Sequence, residues 1–349
     1  VLTAFKNDDP NGNGQNDEIP MLGYVPQGGT SNSAVIILTA LGMNTSSTTN
    51  FFTKDDGSIN LGAMDDNYIH YLEYMKLLLA EGLLDQDHYT MTSEEFNAKL
   101  AQNTVGLSPM SAPFVYMPDP AQYKQYQALT PLTSAYNSTK VWPVNSNIFQ
   151  GSFAISYDTE YPEACIRMAN VFFEEGINLL AFVGPLTSDT LEPQYPVDGW
   201  EPTKCAIVDG AWSFTTPDGT DLWTYLNAKA GLAVQVGPMY TQAEADAIMG
   251  GSVPLPDNET SWRSSLIKNV APYQKLWLPT LFLDADELER ANELKTPIVD
   301  YITTMEAKFI MGEESLDNID AFYAQLKTLG IEEYVQIYQT AYDAYLANQ

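Results

Sequence analysis

Hydrophobic positions return every three or four residues over two long stretches of the chain. Between 66 and 84, Ile69, Leu72, Met75 and Leu79 form one stripe, which predicts an amphipathic helix ended by Gly82 and Asp85, with His70 turned away from the stripe. Leu288, Ala291, Leu294, Ile298, Ile302, Met305 and Phe309 form a second, which continues across Pro297. The proline is expected to kink this long helix rather than end it. Two more helices are predicted at 316–329 and 331–346, separated by Gly330. Shorter patterns predict a buried helix at 34–43 and a helix at 93–102, with Ser93 as cap and Glu94 and Glu95 in the first turn. A further helix is opened by Pro162 and stopped by Gly176.

Strand-like runs fall at 20–25, 104–107, 127–132 and 151–156. The first leads into a Gly/Ser/Asn loop, and the second into a loop with Phe114, Tyr116 and three prolines. From 184 to 219 the pattern breaks into Pro, Gly, Thr and Asp, with Trp200, Trp212 and Phe214 interspersed. That stretch is too polar for a core and too aromatic for a linker, so a binding surface is expected there. Strands alternating with helices argue an α/β architecture, and the surplus of helices suggests a lobe with helical additions. There is no internal repeat.

Composition narrows the function classes. A chain of 349 residues with 45% apolar content fits a two-lobed globular protein. Against 45 acidic residues stand 16 basic ones, and the net charge of −29 would repel nucleic acid and anionic membranes. No apolar run reaches the ~18 residues of a membrane span, and the chain opens at Val1 with neither a basic nor an apolar leader, as expected of a mature or trimmed polypeptide. Cys165 and Cys205 lack a CxxC spacing, which leaves redox and zinc roles without support; Cys165, between Ala164 and Ile166, reads as a buried thiol. His70 and His88 are the only histidines, so a three-histidine metal site is excluded. His70 reads as a solvated helix residue.

The most specific local signal runs from Asp9 to Glu18, where oxygen-bearing side chains recur at alternate positions with glycines between them. A hard dication needs six to eight oxygens at once, and alternate residues of a tight turn supply them. Asp9, Asn11, Asn13, Gly14, Gln15 (through its carbonyl) and Asp17 fall at positions 1, 3, 5, 6, 7 and 9 of an EF-hand loop. Position 12 is Pro20, so Glu18 must supply the closing carboxylate from a shorter loop. With no helix pair to open, the expectation is a structural calcium clamp. An Asn/Gly-rich surface turn is the plainer alternative.

These segments resemble the extracellular family 1 solute-binding proteins of bacterial ABC importers, especially the large Firmicutes lipoproteins and alginate-binding proteins. The likeness lies in Phe5-Lys6 with the Asp9 to Gly14 and Asp17 to Pro20 stretches, and in Tyr161-Pro-Glu-Ala-Cys-Ile-Arg167 after Phe153 to Ile155. It continues in Leu278-Pro279 before the long helix, Lys308-Phe-Ile-Met-Gly312, and the C-terminal pair with Leu326, Gly330, Tyr334 and Gln339-Thr-Ala-Tyr-Asp343. Two departures stand out. The family carries a long N-terminal segment with a lipobox cysteine before the loop, whereas this chain begins almost at the loop. The span 184–251 lacks the family's Gly-Ile-Glu-Gly type pattern.

The resemblance implies a helix-rich α/β, two-lobed periplasmic-binding-protein type II fold, with the first lobe incomplete in this chain. It divides the chain into 1–126, the calcium loop and first segment of the C-terminal lobe; 127–183, a segment of the N-terminal lobe with hinge crossings near both ends; and 184–349, the second segment of the C-terminal lobe. It implies capture of an oligosaccharide by cleft closure without chemistry and delivery to ABC permease subunits. The protein would be an extracellular, cell-surface lipoprotein (or periplasmic), monomeric, touching the membrane only through a lipid anchor on the absent N-terminus. Sugar rings present apolar faces and hydroxyl edges, so aromatic rings with polar neighbours are the candidate contacts. These are Phe114, Tyr116, Trp142 and Trp200, with Tyr24 and Asn32 as weaker candidates; ordinary packing explains any one of them equally well. Trp262 and Trp277 are assigned to packing. The rival readings are a secreted calcium-stabilised glycoside hydrolase, for which Asp189 and Glu192 could be nominated, and a calcium-stabilised module that binds protein.

Overall fold

The computed structural model describes residues 1–25, 31–110, 112–117, 120–145, 153–172, 184–187, 196–208, 211–220, 225–226, 228–229 and 262–348. The chain divides into two units, Val1–Ser146 with Ser265–Gln349, and Asn147–Ser264.

The first unit is built around helices. α1 (Leu2–Asn7) leads through the 9–18 loop to β1 (Ile19–Met21), followed by α2 (Ala34–Ala40) and the hairpin β2 (Phe51–Thr53) and β3 (Ile59–Leu61). α3 (Tyr68–Ala80), α4 (Ser93–Leu100), β4 (Val105–Leu107), α5 (Pro113–Tyr116), α6 (Pro120–Tyr123) and β5 (Trp142–Val144) come next. β1 pairs in parallel with β4, in the register Ile19 with Val105 and Met21 with Leu107. After the second unit come β9 (Gln274–Leu276), which pairs in parallel with β5, and three helices, α9 (Ala285–Met311), α10 (Ile319–Thr328) and α11 (Ile331–Ala347).

α9 runs unbroken through Pro297 for 27 residues, opened by a capping box in which Asp284 and Glu287 exchange hydrogen bonds and closed by Gly312 at φ 80°. Its buried stripe is Ala291, Leu294, Ile298, Ile302, Phe309 and Ile310. Two expectations shift. Leu288 is exposed, and the inner position of the last turns is taken by Glu306, with Met305 only half-buried. On α3 the buried face is Tyr68, Tyr71, Leu72, Met75 and Leu78, rotated from the expected stripe, because two tyrosines outcompete Ile69 and Leu79 for the core. These faces meet those of α10 and α11 in one core.

Other corrections are local. α4 is capped by Thr92 instead of Ser93, since only Thr92 stands three residues before Glu95 and can form the reciprocal capping box. The 113–123 loop contains the short helices α5 and α6. Residues 127–132 and the described part of 151–156 are not strands.

In the second unit α7 (Pro162–Val171) is helical as expected up to the described limit, but none of its residues is buried. Cys165 is therefore half-exposed, contrary to the expected buried thiol. The 184–219 stretch holds an unexpected sheet, β6 (Leu186–Thr187), β7 (Thr203–Val208) and β8 (Ala211–Thr215), in that order. β7 pairs in parallel with β6 and antiparallel with β8. α8 (Trp262–Asn269) carries the return crossing. Among the described residues no helix is long and apolar enough to cross a membrane.

Candidate functional site

The 9–18 loop is wound by its own side chains. Asp9 sits at φ 44°, and Gly12 and Gly14 at φ 69° and 76°, the positive angles that glycine tolerates and that a tight oxygen-rich turn demands. Asp9 Oδ1 accepts the Asn13 N–H at 3.1 Å and Oδ2 accepts the Gly14 N–H at 2.9 Å. Asn11 Oδ1 accepts from Asn13 N–H (3.0 Å), and Asn13 Oδ1 accepts from Gln15 N–H (2.7 Å). The Asn13 amide donates to both oxygens of Asp17, at 3.2 and 3.3 Å. Asn11 Nδ2 reaches Asn103 O at 3.4 Å, tying the loop to the residues that lead into β4. Asp9, Asn11 and Asn13 thus fold back on the backbone, and Asp17 is held by the Asn13 side chain.

Glu18 differs. Both its carboxylate oxygens are buried and neither has a hydrogen-bond partner. A buried carboxylate without donors is costly, and a cation is the usual remedy. Among the described residues, no three of His, Cys, Asp or Glu are grouped as a metal cluster, so Asp9, Asp17 and Glu18 do not close on one point. The donor set Asp9, Asn11, Asn13, Gln15, Asp17 and Glu18 still has the all-oxygen chemistry of a hard dication, half of it amide or carbonyl.

Apart from Phe114 and Tyr116, which share α5, the candidate aromatics lie on different elements. Phe114 lies on α5, with its side chain outside the described atoms. Tyr116, on the same helix, is half-buried and meets Phe96 edge-on at 5.9 Å, within the small core of Leu22, Leu100 and Met117. Trp142 opens β5 and packs on the main core of the first unit. Tyr24 packs on Phe96 at 4.9 Å, and Asn32 Oδ1 accepts from Ala34 N–H at the start of α2. Trp277 packs on the main core, as assigned; the side chain of Trp262, and both Asp189 and Glu192, lie outside the described residues.

Trp200 is the one candidate in the second unit. Its backbone N–H donates to Val197 O at 3.0 Å, and its ring is so close to Gly184 that a Cβ there would stand 2.9 Å away. The indole N–H is buried without a hydrogen bond of good geometry and bears on the Tyr225 hydroxyl, which donates to Glu201 O (2.6 Å).

No pattern in the sequence marks His88. It is buried; its Nδ1 meets Gly23 O at 2.7 Å, its ring stands edge-on to Tyr89, and burial pushes its pKa below the ordinary value. The folded state therefore favours neutral His88. Its stabilisation is complete above the unfolded value of about 6.5 and is lost as pH falls through the depressed folded value. Urea midpoints should fall from pH 7 to pH 5, and the slope should flatten in His88→Asn, whose amide keeps the donor to Gly23. Equal slopes would remove His88 as the cause.

No family model matches this chain. Among curated proteins it is similar to the fructooligosaccharide ABC transporter substrate-binding protein FusA of Streptococcus pneumoniae, 23% identical over 368 aligned positions covering 100% of this chain and 62% of FusA. The chain thus spans about 62% of that relative's length. Among solved structures, an EF-hand mutant of FusA bound to fructo-nystose matches with a TM-score of 0.70 at 20% identity, over 100% of this chain and 67% of that one. An HMO-binding, ABC-transporter-associated solute-binding protein of Bifidobacterium longum infantis gives 0.71 at 22% identity, over 99% and 68%. The alginate-binding protein AlgQ2, solved without calcium, gives 0.63 at 15%, over 98% and 66%. The fold is that of ABC-transporter solute-binding proteins, which bears out the helix-rich α/β fold implied by the sequence resemblance.

Proposed function

We propose that this chain is the capturing part of an ABC importer. It binds an oligosaccharide outside the cytoplasmic membrane, holds it without breaking a bond, and hands it to permease subunits. The observation that carries the reading is the likeness along the whole chain, in sequence and in fold, to FusA, an oligosaccharide-binding subunit of such a transporter. The HMO-binding and alginate-binding neighbours support the same ligand class. The protein acts as a monomer, anchored at the cell surface by a lipid on a segment N-terminal to this sequence.

Trp200 is the leading sugar contact, because its ring stands against a glycine and its indole N–H lacks a well-made bond. Phe114, Tyr116 and Trp142 are the other proposed contacts. The 9–18 loop holds calcium through Asp9, Asn11, Asn13, Gln15, Asp17 and Glu18. The FusA neighbour was solved as an EF-hand mutant, which supports a loop of this kind in such proteins. When bound, the ion neutralises the loop's carboxylates; the loop itself braces α1 against β1 and β4.

A thermal-shift panel of fructo-oligosaccharides, HMO glycans and alginate oligomers tests the reading, with chromatography of each glycan afterwards. One class should stabilise the protein and be recovered unshortened. Trp200→Ala should weaken that binding tenfold or more, about 1.4 kcal/mol, with little change in the melting point of the free protein. A shortened glycan would overturn the reading in favour of a hydrolase, and equal affinity would remove Trp200 from the site.

A further inference from the structure

The helical core of the first unit carries an acid where its stripe calls for an apolar side chain. Glu306, 6% exposed, faces inward from α9 between Ile302 and Phe309. Its hydrogen-bond partners are hydroxyls. Oε2 meets Thr48 Oγ1 at 2.5 Å, and Oε1 meets the Tyr71 hydroxyl at 2.9 Å. The hydroxyls of Tyr68 and Tyr89 are also buried near the carboxyl, and neither makes a hydrogen bond of good geometry.

Among the described residues, the groups that act on the Glu306 carboxyl are hydroxyls. α3 brings Tyr68 and Tyr71 inward, while His70 pairs with the exposed Glu73. α10 brings Phe322 and the half-buried Tyr323, whose charged neighbours are Asp65, Asp66 and Asp320; Asp65 is paired with Lys54. α11 contributes Tyr334 and Tyr338 to the same core, and the turn before α4 contributes Tyr89, with the His88 ring edge-on to it. On α9 itself Lys308 points to solvent. Among the described residues no Lys, Arg or His forms an ion pair with Glu306.

An ionised carboxylate here would be a full charge in an apolar core, balanced by dipoles alone. A protonated carboxyl both donates and accepts, and so do the threonine and tyrosine hydroxyls, so the neutral group can close a chain of hydrogen bonds at no charge cost. We propose that Glu306 is carried in the core as a neutral carboxylic acid, a pH-sensitive latch that joins α9 to α3 and to the turn at Thr48 and loosens when the group ionises.

Burial pushes the Glu306 carboxyl above the usual carboxylate range, partly opposed by the hydroxyls of Thr48, Tyr71 and Tyr68. With the folded value above the unfolded one, the latch's contribution is complete below about pH 4.5 and lost as pH rises through the folded value. This is the opposite sign to His88, so the two separate in a titration.

Infrared difference spectra of the full chain should keep a protonated-carboxyl C=O band above the pH at which surface carboxylates have titrated, and Glu306→Gln should lack it. The glutamine, a neutral isostere with one donor and one acceptor, should fold. Its Tm should exceed that of the wild type increasingly toward pH 9, by roughly 4 °C or more. Tyr71→Phe, which removes a donor to the ionised form, should move the loss of the band to higher pH. A missing band, parallel Tm curves, or a Glu306→Gln chain that does not fold would each overturn the latch. None of these readouts depends on a bound oligosaccharide.

Discussion

Phe322→Ala should lower the unfolding free energy by about 4 kcal/mol, the largest effect expected of a single side chain in the first unit. Phe322 is 1% exposed on α10, and four rings lie 5.3–5.9 Å from its own: Tyr68 of α3, Tyr301 and Phe309 of α9, and Tyr323. Truncation loses the transfer energy of the ring and leaves a cavity among large, stiff neighbours that cannot fill it. The Glu306 cluster holds Tyr71, one turn from Tyr68, so α3 is not free to collapse inward. The urea midpoint, followed by circular dichroism, reads the loss. A change under about 1 kcal/mol would mean that the three helices do not share one core.

Excess chelator should lower the melting temperature of the calcium-bound protein by roughly 5–10 °C. Calcium at 100 times its dissociation constant contributes about 2.7 kcal/mol, and a unit of this size moves about 2–4 °C per kcal/mol. The effect should reach β1 and β4, because the loop enters β1 directly and Asn11 bonds the residue-103 carbonyl. Asp9→Ala removes the side chain that accepts both the Asn13 and Gly14 N–H groups, so it should abolish the response to chelator and lower the starting melting point. Superimposable melting curves with calcium and with chelator would return the loop to an ordinary Asn/Gly turn.

What the sequence showed, and what it hid, follows from length of pattern. α3, α9, α10 and α11 repeat at 3.6 over ten residues or more, so their existence was legible. The hairpin of β2 and β3 and the β5–β9 pair have three residues per strand, too few for alternation to stand out; their partners lie elsewhere in the chain or in a turn. β7 and β8 did carry a signal, alternation on either side of Asp209-Gly210, a favoured hairpin dipeptide. The prolines and tryptophans around it pointed to a loop instead.

Glu306 escaped for a different reason. Periodicity offered Met305 and Glu306 for one inward position, and only the tertiary hydroxyls of Thr48 and Tyr71 make the acid acceptable there. The turn at 9–18 was legible as a turn because its Asp, Asn and Gly residues are contiguous. Sugar contacts are harder to read, since such a site draws single aromatics from distant segments and core packing uses the same residue types, as the half-buried Tyr116 and Trp142 illustrate.

As the capturing part of an importer, this chain should hold an oligosaccharide and leave it whole. A calorimetric titration of the protein in calcium with a trisaccharide or tetrasaccharide from the glycan panel, followed by chromatography of the recovered sugar, tests it most directly. A saturable heat at one site per chain and a sugar of unchanged length are expected. No heat from any member of the panel, or a heat that persists while the sugar is shortened, would contradict it.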